Sequence, residues 1–263
     1  MRIDEIGKRL KRNYENVSKT KLMRRCPVAI RIDGKAFRTF TRNFEKPFDS
    51  IFRGSMRETM KYLCENIQGC VFGYTQSDEI TLILIDYQTL DTDAWFDYEV
   101  QKMCSISASM ATMVFNRIFS KKVEQYSEDF YEWTWNISKE EEDYVRALDK
   151  AVGKGAMFDA RCFNIPKEEV TNLVYWRQID AIRNSVSMVG RTYFTDKELK
   201  GKKREEVKDM LLEQKGIDWD TYDVSNKWGS ACIRTEDGWI IDKDMPLLKG
   251  EDRWYLEQYI NVG

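Results

Sequence analysis

Two short runs carry residue types that could do chemistry together: Arg31-Ile32-Asp33-Gly34 and Gln76-Ser77-Asp78-Glu79. Side chains alternate along a strand, so in a strand from Val28 the residues Val28, Ile30 and Ile32 share one face, and Ala29, Arg31 and Asp33 the other. Asp33 falls where that strand stops, beside a glycine that lets the backbone approach a ligand. Asp78 falls at the tip of a hairpin. Two carboxylates converging at one sheet edge suit Mg²⁺, which takes one or two protein carboxylates and completes its shell with water and phosphate oxygens. Two such ions, about 3.5–4 Å apart, activate an attacking hydroxyl and stabilise a leaving pyrophosphate. The chain has no histidine, so Ser-His-Asp and Cys-His catalysis are excluded, and a metal-assisted reaction needs no histidine base. Either run alone reads more readily as a turn; only their pairing on neighbouring strands makes a candidate site.

The elements that must position these residues follow from hydrophobic periodicity. Val28–Asp33, 71–74, 80–85 and Met157–Asn164 read as strands, the middle two forming a hairpin across Thr75–Glu79. Helices are predicted over Asp49–Ile67, 97–119 and Lys167–Arg191, the first with Ile51, Phe52, Met56, Met60 and Leu63 along one face. This order predicts an α+β fold: a four-stranded, mainly antiparallel sheet with helices on one face, of ferredoxin-like or polymerase-palm type. The expected organisation is a basic segment (1–26), a catalytic domain (27–191) and an extension (192–263) packed on it. That extension should add helices and a short β element near Trp228–Arg234.

Composition sets the outer limits. Hydrophobic residues make up 42% and charged residues 33% of the 263 residues, ordinary for a globular protein with a charged surface. No apolar run approaches the ~20 residues of a membrane span, and charges fill 1–10 where a signal peptide needs an apolar stretch, so a cytoplasmic protein is expected. The six cysteines form no Cys-x-x-Cys pair and have no histidine to complete a zinc site, which leaves free thiols. Net charge is −2, but cations crowd the segment before Cys26 and the run Lys200, Lys202, Lys203, Arg204, while acids concentrate at 124–132 and 140–143. Such asymmetry suits a polyanion along one side, or simply solvated helix faces.

The ordered motifs resemble those of the tRNA-His guanylyltransferase family. They are Arg31-Ile32-Asp33-Gly34-Lys35-Ala36-Phe37, Phe44-Glu45-Lys46-Pro47, Gly73-Tyr74-Thr75-Gln76-Ser77-Asp78-Glu79, Phe158-Asp159-Ala160-Arg161 and Trp176-Arg177-Gln178-Ile179-Asp180-Ala181. The resemblance spans residues 27–191, with an echo at Trp228-Gly229-Ser230. It implies a palm-type nucleotidyltransferase adding nucleotides in the 3′→5′ direction to tRNA, with two Mg²⁺ ions and nucleoside triphosphates such as ATP and GTP. It implies Asp33, Asp78 and the Gly34 carbonyl as metal ligands, and Glu79 as support for the metal cluster. Arg31, Lys35, Ala36, Phe37, Lys46, Ser77 and Lys102 are implied at the triphosphate or the 5′ end. A homo-oligomer, a tetramer, is implied as well.

One departure from the family pattern is specific. The tRNA-His enzymes carry His-Ile-Asn-Asn-Leu-Tyr-Asn where this chain has Ala181-Ile182-Arg183-Asn184-Ser185-Val186-Ser187. The chain thereby resembles the guanylyltransferase-like branch, whose implied work is template-dependent repair of 5′-truncated tRNA; addition of one 5′ guanosine is the alternative. On that helix Arg177, Asp180, Asn184, Ser187 and Arg191 recur at helical spacing as a polar stripe, opposite Ile179, Ile182, Val186 and Val189. Asn184 is expected at the nucleotide, and Arg177, Asp180, Arg183 and Arg191 at tRNA. An aromatic, acidic patch (Tyr126, Phe130, Tyr131, Trp133, Trp135) reads as a packed surface or subunit interface. Two rivals stay open: a nucleotide cyclase on the same palm, and a non-catalytic RNA-binding palm.

Overall fold

The structure is a computed structural model that describes residues 3–133 and 138–262, with the backbone alone for Ile3, Tyr131 and Trp133. Among the described residues six strands form one sheet in the order β4-β1-β3-β2-β5-β6: β1 Val28–Gly34, β2 Cys70–Gln76, β3 Glu79–Leu84, β4 Phe158–Asn164, β5 Ser230–Thr235 and β6 Gly238–Asp242. All pairings are antiparallel. The helices are α1 Ile3–Leu10, α2 Phe37–Phe40, α3 Ser50–Asn66, α4 Val100–Trp133, α5 Lys139–Lys154, α6 Lys167–Tyr193, α7 Asp196–Leu199, α8 Arg204–Lys215, α9 Val224–Lys227 and α10 Trp254–Ile260.

The α+β class stands, with two additions to the expected sheet. The element near Trp228 is a full hairpin, β5–β6, and β5 pairs with β2, so residues more than 150 positions apart share a ladder. Both faces of the sheet are covered. Val28, Ile30, Ile32, Ile80 and Leu82 pack with Met56, Met60, Leu63 and Phe115 of α3 and α4. Ala29, Phe72, Ile83 and Ala231 pack instead with Val170 and Val174 of α6 and Leu256 and Ile260 of α10. Helix α6 is thus on the face that carries Arg31 and Asp33, which decides what those two residues meet.

Local signals explain the element ends. Asp49 caps α3, its Oδ1 accepting from the Phe52 N–H at 2.7 Å. Helix α4 begins only at Val100, because Phe96, Asp97 and Tyr98 all take positive φ. It runs on past Phe119, with Val123 and Phe130 buried, so the acidic stretch after it belongs to the same helix. The second acidic run opens α5, where Ser138 and Glu141 form a capping box and the acids complement the helix N-terminus. Tyr126 and Phe130 stack 6.2 Å apart; Trp135 and the side chains of Tyr131 and Trp133 lie outside the described residues. Among the described residues, no helix is long and apolar enough to cross a membrane.

The expected apolar stripe of α6 holds at Val186 and Val189, which join a third cluster with Val207, Leu211 and Trp219. It fails at Ile179, which is only half-buried. A helix of 27 residues joins two different apolar clusters here. Its N-terminal half turns Val170, Val174 and Ala181 inward, and the stripe drifts as the partner changes from the sheet to α8.

Much of the N-terminal basic cluster is engaged by the protein itself. Arg24 Nε donates to Asp86 Oδ2 at 2.6 Å, and the Arg25 N–H to Asp86 Oδ1 at 2.8 Å, which compensates a carboxylate with no exposed surface. Lys21 pairs with Asp97, Lys19 with Glu15 and Lys8 with Asp4.

Candidate active site

The site is built by strand register. Asp33 lies directly opposite Glu79 on β3 and Asp159 on β4. Strands β2 and β3 meet at the two-residue turn Ser77-Asp78, with Ser77 at φ 50°. The Gly34 N–H donates to the Asp78 carbonyl at 3.1 Å and the Lys35 N–H to the Met157 carbonyl at 2.9 Å, so the end of β1 is tied to the hairpin tip on one side and to β4 on the other. A Cβ on Gly34 would sit 2.2 Å from Phe37 Cδ2; only glycine lets the chain fold back so that Phe37 enters the core. Ala36, at φ 57°, makes that reversal before α2.

Charge at this point is unbalanced in an informative way. Burial pushes the Asp33 carboxyl above its usual range, helped by the carboxylates of Glu79 and Asp159 and opposed by Arg161 and Arg31. Burial also pushes Asp78 up; its own backbone N–H and the Ser77 hydroxyl, 2.9 Å from Oδ1, oppose this, and Asp33 and Glu79 add to it. Carboxylates gathered where neighbouring acids and burial disfavour their ionisation are hard oxygen donors that a cation would stabilise.

Glu79 is different. Its Oε2 accepts from Arg31 Nη2 at 2.8 Å and its Oε1 from Arg177 Nε at 2.7 Å. Arg177 goes on to Asp180 Oδ2 at 3.0 Å. With each oxygen accepting from an arginine, Glu79 anchors two guanidinium groups beside Asp33. Among the described residues no group of three His, Cys, Asp or Glu side chains could hold a metal ion. What this end of the sheet offers in hard oxygen donors is the Asp33 and Asp78 carboxylates with the Gly34 carbonyl beside them. That composition fits Mg²⁺, which keeps most of its shell for water and substrate phosphate.

Beside the pair opens a cavity of about 470 Å³, within the usual range for a small-molecule site. Gln76, Ser77 and Asp78 form one wall; Phe37 and the Phe44–Asp49 loop form another. Helix α6 adds Ala181, Asn184, Ser185, Ser187, Met188 and Arg191. Arg38, Lys46, Arg53, Arg191 and Lys227 bring cations to it, a lining suited to a polyphosphate. Arg53 is a half-buried guanidinium whose pKa is lowered by burial and by nearby Arg57. Its Nη2 donates to the Ser225 carbonyl and hydroxyl, and its plane lies over Phe48 at 5.4 Å.

The sequence-predicted residues thus divide. Asp33, Gly34 and Asp78 meet at the end of the sheet, with Ser77, Lys46 and Asn184 around the cavity. Lys35 is exposed beside them, and Phe37 is mainly core, its ring 5.0–5.7 Å from those of Phe40, Phe52, Phe115 and Phe158.

Lys102 is not brought there. It pairs with Glu99 at 3.8 Å and lies over Phe96. Helix α4 reaches the active end only at Thr112, whose Oγ1 accepts from the Phe158 N–H. Ten helical residues separate the two positions, about 15 Å.

Arg177 also departs from expectation. It is 7% exposed and held by Glu79 and Asp180, so its charge belongs to an internal network and not to an RNA-facing surface. Asp180 is shared between Arg177 and Arg183. Arg183 and Arg191 are exposed.

Sequence reasoning passed over Arg38, Arg53 and Lys227. Arg53 carried one signal: a cation in the first turns of α3, where the helix dipole disfavours positive charge. Lys227 carried none, since α9 meets the cavity only through the tertiary fold.

A palm-like antiparallel sheet, a carboxylate pair at its end and a cation-lined cavity define a nucleotidyltransferase. The sequence profile of the tRNAHis guanylyltransferase (Thg1) family matches residues 8–166, and the chain belongs to that family. A bacterial tRNA(His) guanylyltransferase (Thg1)-like protein in complex with ATP is 37% identical, with a TM-score of 0.81 over 97% of this chain and 99% of that one. The same kind of bacterial protein in complex with GTP is 33% identical, with a TM-score of 0.76 over 98% and 99%. An uncharacterised mimivirus protein, R259 of Acanthamoeba polyphaga mimivirus, is 30% identical over 86% of this chain and 76% of its own length. The tRNA(His) guanylyltransferase of Saccharomyces cerevisiae shares the fold at 22% identity and a TM-score of 0.63, over 88% of this chain and 94% of that one.

Proposed function

We propose that the protein is a template-dependent 3′→5′ nucleotidyltransferase that activates and extends the 5′ end of tRNA. The observation carrying this reading is the placement of Asp78, pushed toward protonation, at the wall of a cavity lined by five Lys/Arg residues, with Asp33, pushed the same way, at the adjoining end of β1. Relatives bound to ATP and to GTP support nucleoside triphosphates as the substrates of this cavity.

In the first stage a 5′-phosphate oxygen of the RNA attacks the α-phosphorus of ATP, forming an adenylylated end and releasing pyrophosphate. In the second, the 3′-hydroxyl of an incoming nucleotide attacks that 5′ phosphorus and AMP leaves. Asp33, Asp78 and the Gly34 carbonyl would hold Mg²⁺, which supplies activation of the attacking oxygen and neutralisation of the leaving phosphate when bound. Lys46, Arg53 and Arg191 hold phosphate oxygens, and Ser77 fixes the Asp78 carboxylate. Arg31, pinned to Glu79, presents a fixed positive charge beside Asp33. Fixed charge and position supply most of the acceleration in phosphoryl and nucleotidyl transfer. The histidine of the tRNA-His enzymes is absent, and Ala181 begins the replacing stretch at the cavity wall; this favours repair over dedicated guanosine addition. No separate observation favours a cyclase or an inert palm.

The test is incubation with Mg²⁺, nucleoside triphosphates and a tRNA lacking its first 5′ nucleotide, carrying a labelled 5′ phosphate, with Asp78→Ala as control. Extension by the nucleotide complementary to the opposing acceptor strand is the expected result. If neither 5′-monophosphorylated nor 5′-triphosphorylated tRNA is extended, the reading falls.

A further inference from the structure

Where α6, α7 and α8 meet, a second trough of about 340 Å³ opens beside the catalytic cavity. Arg183, Arg191, Lys200, Lys202 and Arg204 line it, against the single acid Asp196. Ser187 and Arg191 line both hollows, so the two form one continuous depression along α6. Its floor is apolar, from Val186, Leu199 and Val207. Close helix packing fixes the floor: a Cβ on Gly190 would lie 2.9 Å from Val207 Cγ1.

The cations here are little used by the protein. Among the described residues no hydrogen bond or ion pair engages the Lys200 or Lys202 ammonium. Arg183 and Arg191 pair only at 3.4 Å, with Asp180 and Asp196 respectively, while keeping 69% and 66% of their side-chain surface in solvent. Arg204 Nε donates to Glu205 at 2.8 Å; five cations beside the acids Asp180, Asp196 and Glu205 leave a net positive surface whose self-repulsion a polyanion would relieve.

We propose that this trough holds the phosphodiester backbone of the RNA whose 5′ end enters the catalytic cavity. The inference rests on the tRNA reading above and extends it to a named surface. A polymer whose end lies in the first hollow must continue out of it, and the trough is the contiguous exit lined by positive charge. A free triphosphate would fit inside the first cavity and would not need further cations from α6, the segment between α7 and α8, and α8. Lysines spaced along an open groove contact successive phosphates without reading bases, so recognition here is independent of sequence.

The experiment compares wild type with Lys200→Ala/Lys202→Ala, and with Lys61→Ala/Lys249→Ala as a charge-matched control outside the trough. Binding of a fluorescent 5′-truncated tRNA transcript is measured by anisotropy across salt concentrations. Counterion release contributes about 0.7–0.9 to the log–log slope per phosphate neutralised. The trough variant should lose about 1.4–1.8 in slope and roughly tenfold in affinity at moderate salt. Its melting temperature and ATP affinity should match wild type. A slope and affinity equal to the control's overturn the assignment. So does a parallel loss of ATP affinity, which would make the trough part of the triphosphate site, and so does a wild type that binds no tRNA. Because the readout is binding and not turnover, a wild type that binds but extends no tRNA overturns the polymerase reading alone.

Discussion

Asp78 and Glu79 are adjacent carboxylates with opposite structural roles, and replacing each should give opposite signatures. Glu79 is 5% exposed and receives charge-assisted bonds from Arg31 at 2.8 Å and Arg177 at 2.7 Å. Glu79→Ala leaves Arg177 buried without its principal counter-ion. Breaking a buried pair in this way costs about 3–5 kcal/mol, and each kcal/mol moves the melting temperature of a domain this size by about 2–4 °C. A loss on the order of 10 °C is expected. Asp78 instead takes a hydroxyl bond from Ser77 and sits among like charges. Asp78→Asn should leave the metal-free melting temperature within a few degrees of wild type, or raise it slightly. The difference lies in magnesium. Wild type at ten times its Mg²⁺ dissociation constant gains about 1.4 kcal/mol by linkage, and Asp78→Asn should gain almost none. The assay is thermal melting of the three proteins with and without Mg²⁺. If Glu79→Ala melts with wild type, or if Asp78→Asn keeps the full Mg²⁺ increment, the division of roles is wrong.

Other outcomes follow from the same geometry. Asn184→Ala should slow nucleotide addition by roughly tenfold while stability changes by less than about 0.5 kcal/mol, because the residue is exposed at the cavity wall; steady-state rates and a melt check both halves. Gly34→Ala should cost about 1–3 kcal/mol through overpacking against Phe37, with activity falling alongside; denaturant unfolding reads the first. On the alkaline side, burial raises Cys162 from 9.0 to about 12 and Tyr87 from 10.0 to about 12. Both are raised above their unfolded values, so their contribution is complete below pH ~9 and is lost as pH climbs toward ~12. Melting temperature should fall steadily across that window, and Cys162 should resist iodoacetamide near pH 8, as mass spectrometry would show.

Strands β1 to β4 and helices α3 and α6 were legible because each has a clean period and a punctuating residue: glycine after Asp33, Asp49 before α3, Pro166 before α6. The meeting of Asp33 with the hairpin tip followed from alternation alone. What was hidden had tertiary causes. Arg177 sat correctly on a polar stripe, yet periodicity cannot tell a polar face in water from one lying over a sheet, and Glu79 waits beneath this one. Lys102 was assigned by resemblance, and its distance from Asp33 depends on where α4 begins, which three positive-φ residues before Val100 decide. Arg53 meets Ser225, 172 positions away, a pairing no local pattern encodes.

The two-residue turn between β2 and β3 makes the position of Asp78 a matter of counting. Residues on these strands are fixed in steps of about 3.3 Å, and each step reverses the direction of the side chain. Adding or deleting one residue between Tyr74 and Ile80 would not shift the carboxylate slightly. It would turn Glu79 away from Arg31 and Arg177, or Asp78 away from Asp33. The candidate site can therefore tolerate changes of side chain within the hairpin far better than any change in its length, and the lengths free to vary lie in the loops outside the ladder.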